Sequence, residues 1–541
     1  MASSTGRQWI TYNGELYNYR ALRDRGPSAG GAWRSSSDTE VVLDALATRG
    51  TIALEGLRGM FALAWWDTDT GTLVLARDRF GIKPLVWAQP ERDLLLFAST
   101  PQALAASGYV PLRPSAAAQA SFLSRGSVDG CYWDGIQTVA PGSALVCTRG
   151  GRPVETRYWQ APSTWNGSPR HTDAASAAAV VREAIVDSVR AHLVADVPVA
   201  LFLSGGRDSS ALAGAVPSSA RASLRALTVT MPDSSLNEAA AARATAVHFG
   251  LPHTEVAVND LDRDQILDAW FAALAQPSID GLNTFIVARA AREAGVTVAL
   301  SGVGGDELLG GYPSFVDVPR LFRWCRTLGV ACAPLGRLAS AWPSARATRL
   351  AEVAAAPHTT MADTWWAYRQ IWPDALVQGW TGVAPAGPPS EAVAMTDPFQ
   401  TVRHLEWTQF LQRQLLPDAD AYTMSHALEL RVPFVDHMVL EQVAAAGLWP
   451  RAGHASWKAA LFAEWPDWVE PSLRHQQKRG FVLPMDTWLR QALHDRSPRV
   501  WRDVADRLLQ PAYQPYVRAF LAGRLHWSRL WALYVWARVG R

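Results

Sequence analysis

The chain has 541 residues, of which 49% are hydrophobic and 18% charged, the composition of a globular protein long enough for more than one domain. A formal net charge of +2 gives no electrostatic reason for nucleic acid or an anionic membrane as partner. The four cysteines, Cys131, Cys147, Cys325 and Cys332, show no CxxC spacing, which argues against a zinc scaffold and for a reducing compartment. Without a signal peptide or a span of about 18 apolar residues, the expected location is the cytoplasm.

In chain order, residues 1–157 alternate short β-rich runs, such as 61–66 and 72–76, with turn residues, which predicts a layered α/β domain. Residues 158–173 (YWQAPSTWNGSPRHTD) are rich in Pro, Ser, Asn and Gly and read as a linker to a second domain, 174–541. That domain opens with an Ala-rich amphipathic helix over 174–193 and a buried strand over 197–203. A strand at 224–229, a helix at 238–249 and a strand at 253–258 continue the alternation of a parallel sheet. Beyond Pro319 the pattern is almost wholly helical, broken by an exposed loop at 383–389. The 25 tryptophans read mostly as core and interdomain filling, with a minority for a substrate cleft.

Two turns carry the chemistry. Residues 201–210 (LFLSGGRDSS) read as strand, glycine turn and helix start. Gly205 and Gly206 lack a Cβ and let backbone approach a ligand, and a helix N-terminus offers N–H groups to an anion. Ser204 and Ser209 add hydroxyls, and Asp208 a carboxylate suited to Mg²⁺. No lysine follows the glycines, so this is not a Walker A loop. Residues 296–311 (VTVALSGVGGDELLGG) repeat the design with Gly302, Gly304 and Gly305 before Asp306 and Glu307. Two such turns can face one nucleotide across adjacent parallel strands.

These residues resemble a known family. SGGRDSS resembles the pyrophosphate loop of the ATP pyrophosphatases, and SGVGGDELLGGY the second nucleotide loop of the glutamine-dependent asparagine synthetases. ALELRVPFVD (427–436) and KRGFVLP (478–484) are similar to two further segments of that family, in its order. The resemblance implies an α/β protein: a truncated, layered glutaminase-like domain, then an ATP-pyrophosphatase-type parallel-sheet synthetase domain with a helical C-terminal part. It implies adenylation of a carboxylate by ATP and Mg²⁺, release of pyrophosphate, and attack of an amine to give an amide and AMP. Carried over by motif, Ser204, Gly205, Gly206, Asp208 and Ser209 hold pyrophosphate, and Asp208 and Asp306 ligate Mg²⁺. Phe202, Val229, Ser301 and Gly302 line the adenosine pocket, and Lys478 stabilises charge in both half-reactions. The partners are a small-molecule or peptide carboxylate with an amine or ammonia; a homodimer and a biosynthetic partner protein are both open.

Two departures from the family shape the expectation. YNGELY (12–17), SSDTEV (36–41) and ARDRFGIKP (76–84) resemble the glutaminase domain, whose nucleophile is an N-terminal cysteine, whereas this sequence starts Met1-Ala2-Ser3. Asn13, Gly14, Glu15 and Asp38 match glutamine-binding positions, but the expectation is a relic domain without glutaminase activity. Val303 stands where the family carries an acid or tyrosine that helps deprotonate the amine, leaving Glu307 and Glu429 as candidate bases. Relatives that dispense with glutamine include β-lactam synthetases and lasso-peptide cyclases, so a specialised amide ligase is the leading expectation. The alternatives are plain aspartate-to-asparagine conversion by a chain with a truncated start, and a catalytically silent scaffold. His426 and His437 read as packing histidines, Asp418 and Asp420 as a loop or cap with a substrate role open. Glu429 and Arg431 read as either a buried ion pair or direct participants, and Arg207 has no firm account.

Overall fold

The computed structural model describes residues 1–26, 32–161, 174–230, 239–258, 263–340, 344–356, 358–395, 397–446, 457–471, 483–495 and 501–540. In the amino-terminal part, eight strands build two antiparallel sheets: β1 (Gln8–Leu16), β2 (Gly59–Asp67), β3 (Thr72–Arg77), β4 (Val86–Glu91), β5 (Leu94–Ala98), β6 (Gln137–Thr138), β7 (Ser143–Thr148) and β8 (Val154–Arg157). Their orders are β1-β2-β3-β7-β8 and β5-β4-β6. The alternation in β2 explains the layering. Phe61, Leu63 and Trp65 pack on Val41, Val42 and Leu46 of the helix Asp38–Arg49, while Ala62 and Ala64, on the other face, pack with Leu85, Trp87 and Val139. Ser37 caps that helix by accepting from the Thr39 N–H.

The second part is built on a parallel sheet of β9 (Val199–Phe202), β10 (Arg225–Thr230), β11 (His253–Ala257), β12 (Val298–Leu300) and β13 (Glu429–Arg431). Its order is β11-β10-β9-β12-β13, every pair parallel. The chain runs outward from β9 through β10 to β11, then returns to the other side of β9 with β12. That reversal places the topological switch point between β9 and β12, where open α/β sheets bind ligands beyond the carboxyl ends of the strands.

The alternation of strands and helices matches the sequence reading, with two corrections. Among the described residues, the region beyond Pro319 contains one strand, β13, whose three residues pair with β12; so short a run gives no periodicity to read. Asp418 and Asp420 lie within the helix Leu416–Met424, not in a loop or at a cap. A Pro at the start of that helix is compatible with helix geometry and does not break it. Trp270, Trp365, Trp372, Trp465, Trp501 and Trp531 are fully buried, as filler should be.

The two parts are joined by charge as well as packing. Arg58 donates to Asp436 from Nε at 2.8 Å and from Nη2 at 2.6 Å. Lys83 pairs with Asp420 at 2.9 Å, and Phe80 packs edge-on against Trp407 with ring centroids 5.2 Å apart. A cavity of about 890 Å³ lies between the parts, reached by Asn13 and Arg79 on one side and by Trp407, Asp418 and Asp420 on the other. Among the described residues, no helix is long and apolar enough to cross a membrane.

Candidate active site

Both glycine turns sit at the switch point. After β9, Gly205 takes a left-handed φ of +64° and Gly206 starts the helix Arg207–Ala215. Ser209 braces this turn: its Oγ accepts from the Ser204 N–H at 3.3 Å and donates to the Gly206 carbonyl at 3.1 Å. The result is a backbone hollow at a helix N-terminus, a geometry suited to phosphate. After β12, Ser301 donates its N–H to the Arg431 carbonyl at 2.8 Å, tying the second turn to β13.

The two turns touch. A Cβ on Gly302 would lie 3.0 Å from the Cβ of Asp208, and one on Gly305 would lie 2.8 Å from the Asp208 carboxyl carbon. Only glycine permits this approach, and it sets Asp208 beside the second turn. Asp208 and Asp306 then converge on one ammonium: Lys458 Nζ donates to Asp306 Oδ1 at 2.6 Å and also contacts Asp208 Oδ1. Lys458 is buried. Burial disfavours its charge, but the two carboxylates hold its pKa above the ordinary lysine value.

Lys458 was not singled out by sequence reasoning. It lies 152 residues from Asp306, on the short helix Trp457–Ala463, and its local sequence carries no signature that separates it from a surface lysine. Lys478, the cation expected from the motif, lies outside the described residues.

The carboxylate pair fits Mg²⁺, which is commonly held by one or two carboxylates together with substrate phosphates. Among the described residues, no cluster of three or more His, Cys, Asp or Glu occurs. Phe202 and Val229, from neighbouring strands, join one apolar cluster with Val256 and Ala294, which brings the two apolar adenosine candidates together.

The candidate bases are differently placed. Val303 is half-buried and packs against the apolar core, with only its backbone N–H in contact with the Ser301 hydroxyl at 3.4 Å. Glu307 is buried and accepts from the Tyr312 hydroxyl at 2.6 Å. Burial, then the neighbouring Glu307 and Asp306, push the Tyr312 phenol well above its usual range. Glu429 is ion-paired to Arg431 Nε at 2.6 Å, and Arg431 also donates to the His192 and Val194 carbonyls at 2.8 and 2.6 Å. This is the ion-pair reading of that motif. His426 packs on Phe285 with ring centroids 4.5 Å apart, and His437 lies 3.4 Å from Asp436.

Of the glutamine-binding candidates, Asn13 borders the cavity between the two parts. Asp38 Oδ2 accepts from the Leu16 N–H at 2.9 Å. Glu15 lies 3.5 Å from Arg431 Nη2, and burial pushes its carboxyl up to about 7 against the pull of that guanidinium. The amino-terminal part and the parallel sheet thus meet through residues of two motifs.

The sequence is similar to known proteins over most of its length. The family described as Asparagine synthase matches residues 180–539, and that described as Glutamine amidotransferase domain matches residues 1–159. Asparagine synthetase [glutamine-hydrolyzing] 1 of Bacillus subtilis (strain 168) is 28% identical over 508 residues, 90% of this chain and 77% of that one. Asparagine synthetase [glutamine-hydrolyzing] 3 of the same organism is 30% identical over 458 residues, 80% of this chain and 69% of that one. Amidase chry2 of Gibberella zeae is 30% identical over 329 residues, 56% of this chain and 47% of that one. The chain therefore belongs to the asparagine synthase family, ATP-dependent ligases that form a carbon–nitrogen bond.

Proposed function

We propose that this protein activates a carboxylate with ATP and Mg²⁺ as the acyl-adenylate, releases pyrophosphate, and joins the acyl group to an amine. The observation that carries the reading is the convergence of Asp208 and Asp306 at two abutting glycine turns on the switch point of the sheet. Phosphoryl charge developing there meets a helix N-terminus, a metal held by two carboxylates and the Lys458 ammonium. All three lower the energy of a transition state that spreads negative charge over phosphate oxygens. Phe202, Val229, Ser301 and Gly302 take the nucleoside, and Lys478 adds a second cation over the phosphates.

We read the nitrogen as a substrate amine or ammonia and not the amide of glutamine. Glu15 is engaged by Arg431 and held near half-protonation at neutral pH, a poor partner for the ammonium of an amino acid. The shifted thiols, Cys131, Cys147 and Cys325, are all pushed upward by burial, away from the thiolate that attacks amides. Valine at 303 provides no proton acceptor, which favours an amine positioned by the pocket over free ammonium. Correct positioning supplies about 7–11 kcal/mol in well-oriented systems, more than the about 10²–10⁴-fold that a general base contributes. A specialised substrate with a role in natural-product assembly, and either self-association or a biosynthetic partner protein, accord with this reading.

The test is product stoichiometry with a panel of carboxylates. AMP and pyrophosphate should form one to one, Asp208→Asn and Asp306→Asn should remove most metal-dependent turnover while the circular dichroism spectrum is kept, and glutamine should yield no glutamate above background. ADP as the stoichiometric product would overturn the adenylation reading.

A further inference from the structure

Between Val318 and Ala351 the sequence carries six arginines and no aspartate or glutamate, whereas basic and acidic residues nearly balance over the whole chain, 51 against 49. Three of the six, Arg320, Arg323 and Arg326, follow one another at intervals of three on the helix Ser314–Leu328. At 3.6 residues per turn, Phe315, Val318, Phe322 and Cys325 form one stripe of that helix. Arg320, Arg323, Trp324 and Thr327 then occupy the opposite arc, with Arg326 at its edge. The stripe residues join apolar clusters, and the residues of the arc, with Arg326, are exposed. The arginines have no acid to answer them. Arg323 Nε donates to the Pro319 carbonyl at 3.3 Å, and the Arg326 guanidinium lies 5.5 Å from the Phe322 ring centroid, both contacts within the helix. Among the described residues, no carboxylate forms an ion pair with any of the three. Like charges about one turn apart repel, so the row costs stability in the free chain.

Apolar side chains are exposed beside this row. Cys325, Cys332 and Ala354 form one buried contact that joins the helix Ser314–Leu328 to the helices Cys332–Ser340 and Ala345–Ala355. Trp324 is next to Cys325, Leu335 is about one turn beyond Cys332, and Leu350 about one turn before Ala354. These three and Leu338 are all exposed, Leu338 to 71%. Single apolar residues on a surface are ordinary. A tryptophan and three leucines around one contact, flanked by unpaired arginines, have instead the make-up of an interface centre, where Trp and Arg are enriched. The charge fixes the sign of the partner. Its class follows from the helix: one that lies on an anionic membrane buries its apolar stripe in lipid, and here that stripe is already packed into the protein. Guanidinium groups match carboxylates in a bidentate fork.

We propose that this face docks an acidic polypeptide, whose aspartates and glutamates pair with Arg320, Arg323 and Arg326 and whose apolar side chains cover Trp324. The helix begins just after Tyr312, at the end of the second nucleotide turn, and its arginines lie roughly 10–20 Å farther along the axis. A docked partner therefore sits beside the synthetase site without entering it. Docking on this face requires no step of the ligase reading.

The probe is a fluorescein-labelled helical peptide of glutamate and leucine, about 20 residues long, with a glutamine–leucine peptide as its neutral counterpart. Binding to the full chain is followed by fluorescence anisotropy at low and high salt, about 50 and 300 mM NaCl. The acidic peptide should bind, the neutral one roughly tenfold or more weakly, and salt should narrow the difference. Arg320→Glu, Arg323→Glu and Arg326→Glu together should weaken the acidic peptide roughly tenfold or more, and Trp324→Ala should weaken it to a similar degree. Arg49→Glu, Arg92→Glu and Arg152→Glu, an exposed trio in the amidotransferase-like part, change the net charge equally and should leave binding as it is. Where the reversed trio on the helix melts early, Arg320→Gln, Arg323→Gln and Arg326→Gln take its place, with a smaller loss expected. No binding of the acidic peptide by wild type, or an equal loss in the two trios, overturns the proposal. Phosphatidylglycerol vesicles and a single-stranded DNA of about 20 nucleotides are titrated in parallel. Either of them binding more tightly than the acidic peptide through the same three arginines assigns the face to phosphates and overturns the polypeptide.

Discussion

Replacing Lys458 by methionine, which keeps most of the side-chain volume, tests the electrostatics of the site most directly. At 2.6 Å from Asp306, with Asp208 also in contact, the ammonium is the cation that lets two carboxylates share one small space. At an effective dielectric constant of 20, the attraction to Asp306 alone is about 6 kcal/mol, largely offset by the desolvation of both partners. Removing the cation takes this partner from both carboxylates, and breaking a buried pair in this way costs about 3–5 kcal/mol. At roughly 2–4 °C per kcal/mol for domains of 150–250 residues, the melting midpoint in chelator falls by about 6–20 °C. Mg²⁺ at a hundredfold over its dissociation constant returns about 2.7 kcal/mol, or about 5–11 °C, because it replaces the missing cation. Wild type, already neutralised by the lysine, should gain less. The assay is differential scanning fluorimetry of both proteins in EDTA and across a Mg²⁺ titration without nucleotide. If Lys458→Met melts with wild type in EDTA, or Mg²⁺ lifts the two equally, the paired-carboxylate account of the site is wrong.

Other outcomes follow from the same geometry. Val303→Glu should raise ammonia-dependent asparagine formation from aspartate, toward the about 10²–10⁴-fold that a positioned base contributes; efficient synthesis by wild type with no gain in the variant returns plain asparagine synthesis as the better account. Burial lowers His192 and His437 to about 4, so each stabilises the fold above its ordinary pKa of 6.5 and loses that contribution as pH falls through about 4, about 3 kcal/mol for the fully buried His192. Glu15 acts with the opposite sign: its carboxyl is raised from 4.5 to about 7, so its contribution is complete below 4.5 and lost as pH rises through about 7. Thermal melts should therefore climb from about pH 4 and level off near neutrality, because the two histidines gain across the window in which Glu15 alone is lost; His192→Gln should flatten that climb and Glu15→Gln steepen it, and unchanged profiles in both variants would contradict these assignments. Cys325 and Cys332 are buried with sulfurs 2.9 Å apart, and burial with its thiol neighbour pushes Cys325 up to about 12, so native-state iodoacetamide should label the half-exposed Cys131 and Cys147 first. Mass spectrometry showing Cys325 labelled as quickly would overturn that order.

The glycine turns were legible in the sequence because their chemistry is local. SGGRDSS and SGVGGDELLGG hold, within a few residues, the glycines that allow close approach, the hydroxyls that brace the turn and the carboxylates that follow. The strands feeding them announce themselves as short apolar runs, and the alternation with helices sets the parallel sheet. In the amino-terminal part, the inward and outward residues of β2 are likewise written in a period of two.

What the sequence by itself determined is therefore the fold class, the position of both turns and the identity of the two carboxylates. Only the tertiary structure decided that a lysine 152 residues beyond Asp306 neutralises them and that Glu15 meets Arg431 across the junction. These contacts depend on how separate elements pack, and nothing in the neighbourhood of an isolated charged residue records which distant partner the folded chain will bring to it. The strand β13 shows the same limit in the backbone: Glu429–Arg431 becomes a strand because the edge of β12 offers it hydrogen bonds, a partner that lies more than a hundred residues earlier in the chain.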